Sequence, residues 1–568
     1  MLFPDKWGQG ALVSFSGANG ICNRNKAMYG RLLGDRFGIC FLNKAVFSVD
    51  MTGIDHIKPA CVLSDIITAD IYSGQDIYKC CITMASQNVM LFYSSMYVSA
   101  HLTVDGEIAY TKDDNLELYE GEDFCFAFAC EKQMGTKYAL CYADNKKDAT
   151  EGALKALKLN VNAETNKKID YYQVLPQPVN VIDDIQKLYY KCISTVKASV
   201  ADNDFSPERP GVLLPCADKL NTINVFKSVI SAVALKNIFP VYAKSTLVTI
   251  WEMILSSGAL PFDEACREDL IAPPLLAWGF LEVFGDDKNA LEAVYDKLRD
   301  CVKFVIDKRD INNNNVFEWK TDSFYADFIT ECNMVNSPRF VDGVLMDSVD
   351  LSCYVANEAR CLSRIAKIID KRSESAYWDV MYSRIKKAVN IALFDVVDGF
   401  YYDSTIVSSN YKKVKTVAGF IPLFAGVCTS DIASVLVDKL SSPAEFNTRV
   451  CIPSVSKRDI KEQDMYKGPM WVEYNYLIAK GLKEYGFNDK ANEIIKKTVL
   501  TIKNEFERHG VVYECYSTDA GVLTENMPRF GHESKFSGSG AIGSPVKDYM
   551  PAAAICAEYI LNLYKMDL

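Results

Sequence analysis

The hydrophobic period changes once along this chain, near residue 180, and that change limits what it can fold into. Before it, "ALVSFSG", "FGICFLNKAVFSVDM", "YKCCITMA", "NVMLFYSSMYVSAHLTVDG" and "DFCFAFACE" are short, often alternating, and rich in β-branched and aromatic residues. Residues from about 10 to 175 therefore read as strands, with "VDGE" (Val104 to Glu107) as a hairpin signal. Many short strands without helices between them predict a β-sandwich. After the change, apolar residues recur at three- and four-residue steps, as in Ala359, Leu362, Ala366 and Ile369. "ALEAVYDKLRDCVKFVIDK", "YWDVMYSRIKKAVNIALFD" and "DKANEIIKKTVLTIKNEFERHG" repeat the pattern as helices of ordinary length. No fixed internal repeat marks a solenoid. Paired helices separated by long loops predict a helical toroid. The chain thus reads as multidomain β + α. A β-sandwich occupies residues 1–178, a helical linker 179–214, and the toroid 215–568. A helix is expected at about 182–200, ahead of "DNDFSPERP" (Asp202 to Pro210).

A chain of 568 residues with 49% hydrophobic content can bury a large core. Its net charge of -11 argues against a nucleic-acid or anionic-membrane partner. The first residues show no basic region followed by an apolar one, and no apolar run approaches ~20 residues. A soluble, cytoplasmic protein without a membrane partner is the expectation. The 19 cysteines are scattered, with no C-x-x-C pair, and read as reduced buried thiols. The four histidines (His56, His101, His509, His532) lack metal-ligand spacing, so no metal is expected. No phosphate-cradling loop or G-x-S-x-G occurs, and no cofactor is implied.

Three loops of the helical half combine aromatics, Pro or Gly, and carboxylates or amides. Flat rings stack on sugars while carboxylates and amides take hydroxyl hydrogen bonds. The first loop, Val316 to Tyr354, holds Glu318, Trp319, Glu331, Arg339, Asp342, Asp347 and Asp350. Helix caps on a solvated connection, with Asp347 or Ser348 capping the helix that follows, explain it equally well. The second, "MYKGPMWVEYNYL", sets Trp471, Glu473 and Asn475 at a helix start, where the bland alternative is a core Trp. The third, "GVVYECYSTDAG", places Glu514 in an extended segment beside Tyr513 and Tyr516. Partial burial there would raise its pKa toward the range of acid–base work. Paired-carboxylate chemistry, and glycoside hydrolysis first, is what these residue types leave open.

The segments also carry a resemblance. "APPLLAWGFLEVFG", "NNNNVFEWK", "SPRFVDGVLMDSVDLSCYVANEARCLSRIA", "LFDVVDGFYYD", "GFIPLFAGV", "FNTRVCIPSVS", "YKGPMWVEYNYLIAKGLKEYG" and "YECYSTDAG" resemble, in order, segments of glycoside hydrolase family 63, the processing α-glucosidase type. Family 37, the trehalases, is a more distant likeness. The resemblance implies an (α/α)6 barrel behind an N-terminal β-sandwich, acting on an α-linked glucoside or related oligosaccharide by an inverting acid/base mechanism. It puts the general base on Glu514. The family's acid loop resembles "ECNMVNSPRF", in which Glu331 and Asn336 to Arg339 match and the acid position falls on Val335. Valine cannot donate a proton, so Asp342, then Glu331, are the candidates to replace it. Substrate contacts are expected from Trp319, Arg339, Lys467, Trp471, Asn475, Tyr513 and Tyr516. Two departures stand out: no Trp-Asp pair occurs near Val241 to Trp251, and Lys467 replaces an arginine. A carbohydrate-binding pseudoenzyme accommodates these losses directly. A polysaccharide lyase is the third reading, although lyases tend to use Tyr or His as base.

Overall fold

The computed structural model describes residues 1–15, 22–24, 26–42, 44–203, 208–264, 270–320, 330–340, 344–529 and 543–562. Its N-terminal part is built from two antiparallel sheets. The first joins β1 (Leu12–Val13), β2 (Gly30–Leu32), β3 (Gly38–Phe41), β4 (Ala45–Val49) and β9 (Ala100–Val104) in that order. The second runs β10 (Ala109–Asp113), β11 (Leu116–Glu120), β12 (Cys125–Glu131), β13 (Thr136–Ala143), β8 (Val89–Ser94), β7 (Asp76–Ser86), β6 (Ile66–Ser73) and β5 (His56–Val62). Alternation decides which side faces inward: in β4, Ala45, Phe47 and Val49 are buried while Val46 and Ser48 are half-buried. The sheets meet through the rings of Phe47, Phe92 and Phe128, with Phe47 5.6 Å from Phe92 and 6.2 Å from Phe128.

Two sequence expectations change here. "VDGE" is not a hairpin turn. β9 pairs with β4 and β10 pairs with β11, so the turn carries the chain from one sheet to the other. Turn residues reverse the chain but do not choose its pairing partner. Residues 146–174 are not strands either, but helices α1 (Lys146–Leu157) and α2 (Val161–Val174). Asn145 and Asn160 cap them by accepting from the N–H groups of Asp148 and Ala163. The small face of α1, Ala149, Ala153 and Ala156, is buried against β12 and β13.

The remainder is helical. α3 (Asp183–Ala198) precedes α4 (Val225–Leu235), α5 (Pro240–Glu252), α6 (Leu276–Phe284), α7 (Lys288–Arg309), α8 (Val349–Ile368) and α9 (Arg372–Ala392). α10 (Ile421–Phe424), α11 (Ser430–Ser441), α12 (Val472–Glu484), α13 (Asn488–His509) and a last helix, Met550–Asn562, follow. Neighbours in sequence pack together: α4 on α5, α7 on α8, α8 on α9, and α12 on α13. The last helix closes onto α3, α4, α12 and α13. α13 ends at Gly510, whose φ of +69° and close approach to Gly8 leave no room for a side chain.

One buried carboxylate ties the two parts together. Asp548, at a left-handed φ of 55°, accepts from the backbone N–H of Leu12 in β1 and of Val512, and from the Lys191 ammonium of α3. Arg31 of β2 adds a bond to the Lys547 carbonyl. The eighteen described cysteines form no disulfide with one another, and all but Cys40 and Cys130 are buried. No described helix is long and apolar enough to cross a membrane.

Candidate active site

The acid-position loop begins at Glu331, which is fully buried. Its Oε1 accepts from the N–H of Ile271 and from Arg309, and its Oε2 from the N–H of Lys320. Burial raises its pKa against the pull of Arg309 and those N–H groups. Glu331 therefore splints three segments and has both oxygens occupied. Val335 is 2% exposed and belongs to the apolar core with Met334 and Phe340. Asn336 fastens the loop to its neighbour. Its side chain donates to Asp464 Oδ2 at 3.1 Å and accepts from the Tyr466 N–H at 3.0 Å. Arg339 is buried between Asp350 and Asp403, and Asp350 also receives the Trp319 indole N–H at 2.9 Å. Asp403 in turn accepts from the Val349 N–H and so caps α8 in place of Ser348, whose hydroxyl donates elsewhere. Asp342 lies outside the described residues.

The second loop packs behind the first. Tyr466 stacks on Trp471 at 4.1 Å between ring centres, and the Trp471 indole donates to the Met465 carbonyl. Asn475 donates to Thr498, and Lys467 pairs with Glu462 at 2.7 Å near the surface. A cavity of about 470 Å³ opens here. Pro338, Lys412, Val414, Arg458, Asp459, Lys461, Glu462 and Lys467 line it, so it adjoins the acid-position loop and its cations outnumber its carboxylates.

Glu514 sits on a seam of three segments. Tyr516 exchanges backbone bonds of 2.8 and 3.0 Å with Met470, and the Glu514 N–H donates to the Val546 carbonyl. Tyr513 and Tyr516 lie edge to face, the Tyr516 hydroxyl accepting from the Tyr513 N–H. Arg529 grips the Glu514 carboxylate in a fork, Nε to Oε2 at 2.6 Å and Nη2 to Oε1 at 2.9 Å. Burial alone would raise Glu514, but Arg529, Lys227 and the Val546 N–H together hold it below the usual glutamate value. The sequence expectation runs the other way, because Arg529 lies fifteen residues downstream, beyond the local segment around Glu514. One trace of it is visible: "PRF" occurs at 338–340 and again at 528–530, and each arginine grips a buried carboxylate.

A second carboxylate shares this seam. Glu473, in the first turn of α12, accepts from the Tyr549 hydroxyl at 2.8 Å, while its Oε2 is buried with no hydrogen-bond partner. Burial pushes its pKa up to about 7 despite Lys227 and Tyr549, and Glu514 nearby pushes the same way. Elsewhere, Glu318 is pushed up to about 8, chiefly by burial and with Asp347 beside it. Asp310 and Asp347 are engaged by the Asn314 and Asn315 N–H groups and by the Asn312 and Asn314 amides. Among the described residues no group of three or more His, Cys, Asp or Glu is arranged to hold a metal ion.

Residues 265–533 match the family model of the mannosylglycerate hydrolase MGH1-like glycoside hydrolase domain. The chain resembles glycoside hydrolase family 63. Mannosylglycerate hydrolase of Thermus thermophilus is 36% identical over 98 residues, 17% of this chain and 23% of that protein. Mannosylglycerate hydrolase MGH1 of Selaginella moellendorffii is 30% identical over 132 residues, 23% of this chain and 26% of the relative. The chain spans under half the length of the curated relatives it matches, 48% of one from Borreliella burgdorferi. Among solved structures, a bacterial glucoamylase complexed with acarbose aligns over 98% of this chain and 95% of its own at a TM-score of 0.60 and 10% identity. A family 63 mannosylglycerate hydrolase of Thermus thermophilus, in complex with glucose, covers 66% of this chain and 99% of its own at 0.53 and 18% identity. The glucoamylase likeness extends the shared fold across both the sheets and the helices. The matched family region contains Glu514, Arg529, Glu473 and the Val335 loop together.

Proposed function

We propose that the chain is a glycoside hydrolase that cleaves a small α-linked glycoside by an inverting mechanism, with Glu514 as general base. The observation that carries this is the Arg529 fork, which keeps a fully buried carboxylate ionised at the position the family resemblance assigns to the base. An ionised carboxylate out of bulk water can take a proton from an attacking water. The helices would form the (α/α)6 toroid over 215–568, behind a sandwich domain at 1–178 and a linker at 179–214. The relatives named mannosylglycerate hydrolase extend the substrate range beyond the α-glucosides expected from the motifs. The cation-rich cavity beside Pro338 suits a glycoside bearing a carboxylate. Trp471 and Trp319 act as supports of the cleft on this reading, since their indole N–H groups are engaged internally, and Asn475 joins them through its amide N–H to Thr498. Buried cysteines that form no disulfide with one another among the described residues support a reducing, cytoplasmic setting.

The test is a release assay on mannosylglycerate, trehalose and glucose oligosaccharides with the wild type and Glu514→Gln. Hydrolysis by the wild type and a loss of about a hundred- to ten-thousandfold in the variant is the expected result. Equal activity in both sinks the assignment. A second reading, sugar binding without turnover, is favoured by one observation: Arg529 occupies both Glu514 oxygens. Calorimetric binding of a sugar that is never cleaved would support it.

A further inference from the structure

If Glu514 is the base, the reaction also needs a proton donor, and Val335 cannot be one. Of the described carboxylates around the acid-position loop, Glu318 also keeps an unpartnered Oε1, but it faces Asp347 and takes the Ile311 N–H away from the seam of Glu514, and the others are committed. Glu331 has both oxygens in hydrogen bonds, Asp350 and Asp403 hold Arg339, and Asp464 holds Asn336. Glu473 is different. It is 1% exposed, one of its oxygens receives Tyr549, and the other has no partner. It stands three residues past Met470, and Glu514 stands two before Tyr516, the two residues whose backbones are bonded to each other. Both carboxylates feel the same Lys227, whose ammonium lies 5.8 Å from the Trp471 ring and 5.7 Å from the Tyr549 ring.

We propose that Glu473 is the proton donor of this site, taking the role that the residue at Val335 leaves vacant. The proposal rests on the hydrolase reading above. As the bond between the anomeric carbon and the glycosidic oxygen breaks, its electron pair goes to that oxygen, which takes the proton from Glu473 Oε2. Water attacks the anomeric carbon and passes its proton to Glu514. Solvent then returns one proton to Glu473 and removes one from Glu514, so the cycle closes. A buried glutamic acid with an unpartnered oxygen is held in the donating form, while its seam partner is held in the accepting form. Environments that pull two carboxylates apart in this way divide acid from base. The charged and titratable groups facing Glu473 are Lys227 from α4, Tyr549, Glu514 and Cys515.

The test compares leaving groups. Wild type, Glu473→Gln and Glu473→Asp are assayed on mannosylglycerate and trehalose, whose leaving oxygens need a proton, and on α-mannosyl and α-glucosyl fluoride, whose fluoride does not. Glu473→Gln is expected to lose about a hundred- to ten-thousandfold in kcat/KM on the former and under about tenfold on the latter. The wild-type profile should fall above pH of about 7, and that limb should vanish in the variant. Glu473→Asp should recover part of the loss. Thermal melting of each variant checks that it is folded. If Glu473→Gln loses equally on both substrate types, or on neither, the donor assignment is overturned while the hydrolase stands. If the wild type cleaves none of the four, both fall together.

Discussion

The loop at 331–340 and the seam that joins 470–473 to 513–516 are both buried and both set among carboxylates, yet those carboxylates serve differently. Around the loop, Glu331, Asp350 and Asp403 have their oxygens taken up by arginines, the Trp319 indole and backbone N–H groups. Their charge is spent on holding chain segments in place. In the seam, Arg529 fixes one carboxylate as the anion, and Glu473 retains an oxygen with nothing bound to it. The difference teaches that a carboxylate at a motif position is not thereby a reagent. What separates a splint from an acid is whether a protonatable oxygen is left over.

The comparison breaks most sharply at Arg339. Arg339→Met strands two buried carboxylates and should cost at least about 3–5 kcal/mol of unfolding free energy, read from urea titration. A loss below about 1 kcal/mol would mean the loop is not braced by that ion cluster. Val335→Asp asks whether the loop still holds latent acid function. Its 2% exposed apolar setting should make a carboxylate there costly, by about 1–3 kcal/mol, with no gain in hydrolysis. A tenfold rise in kcat/KM for mannosylglycerate would return the acid role to the loop. The smallest effect is expected at Tyr549→Phe. Losing one hydrogen bond should cost about 1 kcal/mol in stability. The Tyr549 hydroxyl lowers the pKa of Glu473, so its removal should move the alkaline limb of the rate profile to higher pH. A shift to lower pH, or none, would show that the hydroxyl does not govern that carboxyl.

Much of this was legible in the sequence, but unevenly. The period change announced sheets before helices, and the helix expected at 182–200 is present as Asp183–Ala198. Alanine-rich α1 is hard to read because small residues serve either element, and its Asn145 cap looks like any turn asparagine. Pairing across the sheets was also hidden, since "VDGE" states a reversal and not a partner. In the candidate site, the motif singles out Glu514, and the structure buries it on the seam. Its electrostatics were not, because Arg529 reaches it from fifteen residues away. Glu473 reads as an ordinary first-turn acid of α12, and only tertiary burial gives it an unpartnered oxygen.

The Asp548 clasp has a consequence in time. Leu12 finds its partner 536 residues later. At a synthesis rate of roughly 5–20 residues per second, that partner leaves the ribosome about half a minute to two minutes after Leu12 does. Through that interval the first strand lacks the acceptor that seals its edge, and Lys191 of α3 lacks its counter-charge. Closure of this clasp is therefore late relative to the synthesis of the first strand. Agents that guard nascent strand edges should raise the yield of native protein more than agents that stabilise helices.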